Sequence, residues 1–307
     1  MKVALTNLSN SLYEQSRHRL NDSARKFGIT EVYSYDFNDI KSSNFYKENQ
    51  SLLDQPRGLG YWLWKPYLVL EAFQKLNDGD VVIYSDSGIE IIDHVDPLVR
   101  ICTVHAPIML FGNSDLVNFT WTKRDCFILM NADNPEFWYS LQCDAAFVLF
   151  RKSDLAIRFL KDWLVFGSDQ RIISDMPNTC GKKNLFGYIE HRWDQSILSI
   201  LARQYNLPFF RMPTQFGNHY KMPGYQIAKE FNCVSQVNQA QVDFYVEHAY
   251  DNSPYFQLLN HHRSTNRRPD EVKKNSLKKK IERRIQYAKY NYALSLHQRK
   301  IKEVRGW

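Results

Sequence analysis

The chain has 307 residues, 24% charged and 44% hydrophobic, which suits a globular protein able to bury a core and does not suit a disordered one. Five cysteines, at 102, 126, 143, 180 and 233, include no CxxC pair, arguing against a zinc site or disulfide framework and for a reducing compartment. The net charge of +7 is uneven: residues 263–307 hold 15 Lys and Arg against 4 Asp and Glu, leaving −4 for residues 1–262. A basic tail on a mildly acidic body points to an anionic partner.

The opening MKVALTNLSN meets polar residues too soon for a signal peptide. No stretch approaches the ~20 apolar residues that span a bilayer. A cytoplasmic protein is expected. Residues 2–6 predict a strand, 11–27 a helix and 31–36 an alternating strand, so the chain opens β-α-β. No glycine fingerprint follows the first strand, which counts against a dinucleotide-binding site. Residues 40–60 read as a polar loop ending in RGLG. YWLWKPYLVLEAFQKL, 61–76, predicts a helix with Pro66 in its first turn, where its missing N–H costs nothing.

Asn77-Asp78-Gly79-Asp80 predicts a turn, and VVIYS after it a strand apolar enough to be covered on both faces. Further strands are expected at 107–111, 145–150 and 207–211, and helices at 153–166 and 191–205. Residues 168–190 read as loop, and a basic helix begins near 270. Alternating helices and strands predict an α/β fold: a mixed, mostly parallel sheet flanked by helices. We expect one catalytic domain over 1–262 and a basic helical extension over 263–307.

The strand at 81–85 runs into Asp86-Ser87-Gly88. Ligands of open α/β sheets gather outside the carboxyl ends of strands. An aspartate there can offer hard oxygen ligands to a divalent cation, and Gly88 would let a ligand approach the backbone. Glu90, two residues beyond Gly88, is expected to share a side with Asp86. The same three residues also read as a simple turn.

The order of helix, NDGD turn, apolar strand and Tyr84-Ser85-Asp86-Ser87-Gly88 resembles the nucleotide-sugar-binding half of GT-A fold glycosyltransferases. There the strand ends in a DxD motif; here Gly88 replaces the second Asp. Gly60-Tyr61-Trp62-Leu63-Trp64-Lys65-Pro66-Tyr67 resembles the WxWKP segment of bacterial and viral polysaccharide glycosyltransferases. The resemblance covers most of residues 1–262 by motif order. It implies Tyr84, Asp86, Ser87 and Gly88 at the donor. It implies Lys65 to balance a diphosphate and an aromatic, Trp64 or Trp62, to stack on a base or sugar. The tryptophans would serve equally as anchors of the helix.

HRWDQSILSIL, 191–201, resembles the late helix whose carboxylate faces the acceptor, and makes Asp194 the general-base candidate, with His191 and Arg192 behind it. A helix N-terminal aspartate that complements the macrodipole is the alternative. The resemblance further implies Asp144 against donor hydroxyls, and Trp121-Thr122-Lys123-Arg124-Asp125 is a polar island between apolar pieces that would bring Lys123 and Arg124 to phosphate; a surface loop explains each as well. The resemblance also implies His261 or His262, ahead of His219 and His248, as a ligand beside Asp86 for Mn²⁺ or Mg²⁺. Arg263 would take the diphosphate.

The expected activity is transfer of a sugar from a nucleotide sugar, UDP-linked by expectation, to a hydroxyl of a growing surface glycan such as O-antigen or capsule, either free or lipid-linked. The alternative is a degenerate protein of the same fold that binds glycan or nucleic acid. No Gly-rich phosphate loop or nucleic-acid module is present. In the tail, Ile281, Ile285, Ala288, Tyr292 and Leu296 recur at helical spacing among Lys and Arg, as in a helix lying on an anionic membrane. Peripheral attachment to the inner face of the membrane is therefore expected. A solvated helix packed on the body and a nucleic-acid contact are the alternatives.

Overall fold

A computed structural model describes residues 1–217, 219, 251–262 and 277–305. The chain opens with strand β1 (Val3–Ser9), helix α1 (Glu14–Lys26) and strand β2 (Glu31–Asp36). Asp36 caps a one-turn helix at Phe37–Ile40, and its side chain and that of Asp39 form a reciprocal capping box. The stretch expected to be a polar loop carries short helices at Asn44–Glu48, Gln50–Leu53 and Gly58–Tyr61. Ser43 caps the first of them, which buries Phe45 and Tyr46, and the second buries Leu52 and Leu53.

Helix α2 (Trp64–Gln74) follows, with Pro66 in its first turn as expected. Strand β3 (Val81–Ser85) leads into the short β4 (Ile89–Ile91). The sequence reading passed over α3 (Asp96–Val104), whose Pro97 occupies the first turn. Strand β5 (Ile108–Val117), helix α4 (Arg124–Leu129) and strand β6 (Leu141–Arg151) come next, and both strands outrun their expected spans. Helices α5 (Asp154–Gly167) and α6 (Trp193–Gln204) fall where the apolar periodicity placed them. Between them, apart from one turn at Gln170–Ile173, the chain is loop-like as expected. Strands β7 (Phe209–Phe210) and β8 (Leu259–His261) and helix α7 (Leu277–Arg305) complete the described chain.

The main sheet has the order β2-β1-β3-β6-β5-β7. The β1–β2, β1–β3 and β5–β7 pairs are parallel, while β6 runs antiparallel to both neighbours. All strands but β6 therefore share one direction, and the expectation of a mixed, mostly parallel sheet holds. β4 and β8 pair antiparallel apart from it, with Ile89 opposite His261.

β3 has helices on both sides because both its faces are apolar. Val82 and Tyr84 join a core with Trp64, Leu68, Phe159, Trp163 and Ile197, from α2, α5 and α6. Val81 and Ile83 join the opposite core with Leu20, Ala24, Leu98 and Cys102, from α1 and α3. α7 docks on a third cluster: Tyr290, Ala293, Leu294 and Ile301 pack against Val117, Phe119 and Tyr139.

Candidate functional site

The run before α2 is bent backwards. Leu59, Tyr61 and Trp62 all hold positive φ, and Gly60 holds φ +89°. A Cβ on Gly60 would lie 2.6 Å from Leu53 Cα, so the turn needs glycine there. Left-handed conformations cost about 1–2 kcal/mol each for residues with a side chain, and the packing around them must hold them in place. The bend turns Trp62 to a half-buried position and starts α2 with Lys65 beneath the sheet's carboxyl edge.

Lys65 is buried to 3% exposure. Its Nζ lies 2.9 Å from Asp194 Oδ2, 3.3 Å from Asp86 Oδ1 and 2.9 Å from the Ala145 carbonyl, to which it donates a hydrogen bond. Asp194 Oδ2 is held by charge, with no aligned hydrogen bond. An ammonium has three protons, and three acceptors from three elements surround it. The expected role for Lys65 as a direct diphosphate contact does not fit this geometry; it gathers two carboxylates instead. Burial alone would lower its pKa, but Asp194 and Asp86 outweigh that and raise it. The ring centres of Tyr84 and Trp62 lie 5.2 and 5.9 Å from Nζ.

Asp194 sits in the first turn of α6, and its side chain is 6% exposed. Burial pushes its carboxyl up to about 6, against the pull of Lys65. Asp86 is more open, at 34%. Its Oδ1 accepts from the Tyr84 hydroxyl, and its backbone N–H donates to the Ala146 carbonyl. Burial and the Asp86 charge together raise the Tyr84 phenol well above its usual range, so it stays a hydrogen-bond donor. Asp144 lies on the same strand edge and its charge reaches Lys65; its Oδ1 accepts from the Ala146 N–H. Ser87 is buried, its hydroxyl directed at the Leu8 carbonyl.

Three residues the sequence reading missed, Trp193, Arg57 and Asp175, cluster with Trp62, which borders the trio of Lys65, Asp86 and Asp194 at the Lys65 ammonium. The Trp193 ring lies 5.3 Å from Trp62 and 4.6 Å from the Arg57 guanidinium. Its Nε1 donates to Asp175 Oδ1, and Asp175 Oδ2 pairs with Arg57 at 2.9 Å. Trp193 also holds a positive φ, at 45°. Its position just before Asp194 was the available signal.

Other expected site residues are employed elsewhere. Trp64 is 3% exposed, donates to the Gly58 carbonyl and packs on Tyr84, so it anchors the helix and cannot stack on a ligand. Lys123 is buried and donates to the Ser174 and Met176 carbonyls, 3.0 Å each, so it holds that loop rather than facing phosphate. Arg124 pairs with Asp133. His191 accepts from the Lys123 N–H at Nδ1, and its Nε2 meets the Ile172 carbonyl; burial pushes it down to about 3, leaving it neutral. Arg192 stacks on Trp121. Glu90 turns away from Asp86 and pairs with Arg19 on α1.

His262 donates its backbone N–H to the Gly88 carbonyl, which brings the histidine pair to the Asp86 turn. The imidazole of His262 neighbours Arg19 and Glu90, and that of His261 lies 5.9 Å from the Phe216 ring. His219 Nε2 lies 3.0 Å from the Met212 and Thr214 carbonyls. Arg263 and His248 lie outside the described residues. Among the described residues no three His, Cys, Asp or Glu side chains gather as metal ligands. A surface cleft over α1 and β4, lined by Gln15, His18, Arg19, Asp22, Glu90 and Ile91, includes none of the trio.

No protein-family model matches the chain, and no curated protein matches it in sequence. Among solved structures it is similar to the bifunctional glycosyltransferase WbbM, at 11% identity and TM-score 0.46, over 86% of this chain and 46% of that one. It is similar to mouse xyloside xylosyltransferase 1, at 10% identity and TM-score 0.45, over 86% and 98%. It is also similar to the glycosyltransferase GlyE of Streptococcus pneumoniae TIGR4, at 12% identity and TM-score 0.39, over 99% and 64%. The chain thus spans less than half the length of the WbbM chain it matches. At these identities the likenesses say nothing of substrate.

Proposed function

We propose that this protein is a glycosyltransferase that moves a sugar from a nucleotide sugar, UDP-linked in our reading, to a hydroxyl of a surface glycan. The observation that supports it is the meeting of three separate sequence motifs at one ammonium. Lys65 of WLWKP, Asp86 of YSDSG and Asp194 of HRWDQ are brought within 3.3 Å contacts at the carboxyl edge of the sheet.

In this reading the acceptor hydroxyl attacks the anomeric carbon as the bond to the nucleotide's β-phosphate breaks. Asp194, ionised above its pKa of about 6, takes the hydroxyl proton. Lys65 holds that carboxylate in place and compensates its charge. Asp86 and Asp144 accept hydrogen bonds from donor hydroxyls. Trp62, 5.9 Å from the Lys65 ammonium, and Trp193 beside it limit water in this reading, which would otherwise compete as acceptor.

Lys65, Asp86 and Asp194 together carry −1, so a nucleotide diphosphate needs positive charge from elsewhere. The sequence offers Arg263 for it, and offers Asp86 with His261 or His262 to a Mn²⁺ or Mg²⁺ ion. The test is thermal shift and nucleotide release with UDP-, GDP-, CMP- and dTDP-sugars, with and without Mn²⁺, for the wild type and Asp86→Ala. Stabilisation by one nucleotide class, with turnover that Asp86→Ala abolishes, is the expected result. Glycan binding with no turnover on any donor would favour a binding protein of the same fold.

A further inference from the structure

α7 has two apolar faces. Tyr290, Ala293, Leu294 and Ile301 are buried against the body, and the Tyr139 hydroxyl and His297 Nδ1 lie 3.1 Å apart across the junction. One docked face is all that packing on the body requires. Yet Ile281, Ile285, Tyr292 and Leu296 fall on the opposite side of the helix, 50%, 52%, 59% and 56% exposed. The stripe from Ile281 to Leu296 runs about 22 Å along the axis. It continues onto the body: Phe186, 56% exposed, meets the Tyr292 ring edge-on at 6.1 Å.

Charge borders the stripe. Residues 277–305 contain ten Lys and Arg against two Glu. Arg284 and Lys289 are exposed, one on each flank of the stripe. A helix with apolar residues along one line and cations beside it fits the boundary between lipid headgroups and acyl chains.

We infer that the outer face of α7, with Phe186, rests on an anionic membrane surface, the helix lying in the plane of the interface. A nucleic acid would meet the cations but would bury no isoleucine or leucine. A second copy of the chain would meet the apolar stripe but would bring a net charge of +8 from its own α7 against the first. Only an anionic lipid surface answers both features. No helix among the described residues is long and apolar enough to cross a bilayer, so the contact is peripheral. The inference stands apart from the catalytic reading, since it uses no residue of the site.

The test is co-sedimentation of the full chain with vesicles of phosphatidylcholine alone or mixed with phosphatidylglycerol. Binding to the mixed vesicles and not to the neutral ones, weakened by salt, is expected. Ile285→Glu with Leu296→Glu, both on the outer face, is expected to weaken it at least about tenfold. Arg284→Glu with Lys289→Glu is expected to cost about fivefold for each positive charge lost. Both variants should keep the wild-type melting temperature, because the docked face is untouched. No binding to mixed vesicles would overturn the proposal. So would undiminished binding by the outer-face variant, or a dimer or nucleic-acid complex lost in these variants while vesicle binding persists.

Discussion

Nζ of Lys65 and Oδ2 of Asp194 lie 2.9 Å apart in a site where each is less than a tenth exposed. Among the described residues the Asp194 charge has no other cation beside it, whereas Lys65 also meets Asp86 at 3.3 Å. Removing one partner of a buried pair costs about 3–5 kcal/mol, because the other is left uncompensated. Lys65→Met, which leaves Asp194 without its counter-charge, should lower unfolding free energy by about that amount, and Asp194→Asn, which leaves Lys65 the Asp86 carboxylate at 3.3 Å, by less. The double variant should lose clearly less than the sum, giving a coupling of about 1–3 kcal/mol. Urea unfolding of the four proteins measures it, and additive losses would mean that the pair is not a pair in solution.

The same burial sets a pH dependence. In the reaction proposed above Asp194 must be ionised to accept a proton, and its carboxyl is pushed up to about 6. kcat/KM should therefore fall about tenfold per pH unit below that value and level off above it. Asp194→Asn should cost about 10²- to 10⁴-fold and remove that limb. Stability runs the other way. A carboxyl whose folded pKa lies above its unfolded one favours the fold at low pH, so this contribution is full below about pH 4 and is lost as pH rises through about 6. An unchanged acid limb in Asp194→Asn would assign the base elsewhere.

The two tryptophans of WLWKP should part company. Trp64 is packed in the core, so Trp64→Ala should cost about 3–5 kcal/mol of stability. Trp62 is half-buried beside Lys65, its ring tilted 41° against that of Trp193 at 5.3 Å. Trp62→Ala should cost less stability and should raise KM for the donor. Thermal denaturation alongside steady-state kinetics separates them. Equal loss of stability in both would make Trp62 another core residue.

This contrast shows what the sequence could and could not convey. Apolar periodicity located β3, α2, α5 and α6 because each is amphipathic or wholly buried, and motif order nominated Lys65, Asp86 and Asp194. Sequence spacing did not tell Trp62 from Trp64. That depends on a run of left-handed residues at 59–62, of which only Gly60 is a residue that favours such a backbone. Lys123 and Arg124 looked like phosphate contacts because a polar island between strands reads as surface. In the fold the Lys123 ammonium turns inward, to the carbonyls of a loop about fifty residues later in the chain. Glu90 missed Asp86 because β4 leaves the main sheet to pair with β8.

The docking of α7 hinges on Gly187. Its φ is +91°, and a Cβ there would lie 2.5 Å from Ala293 Cβ and 3.0 Å from the Phe119 ring. Backbone and side chains thus both reject a larger residue, with Ala293 fixed on a helix and Phe119 buried behind it. Gly187→Ala should push α7 off Phe119 and Tyr139, at a cost of about 1–3 kcal/mol for the overpacked contact. Limited proteolysis should then cut within 277–305 sooner than in the wild type, while the Lys65–Asp86–Asp194 trio, built from α2, β3 and α6, keeps its donor binding. Wild-type resistance to cleavage in Gly187→Ala would mean that the helix does not sit on Gly187.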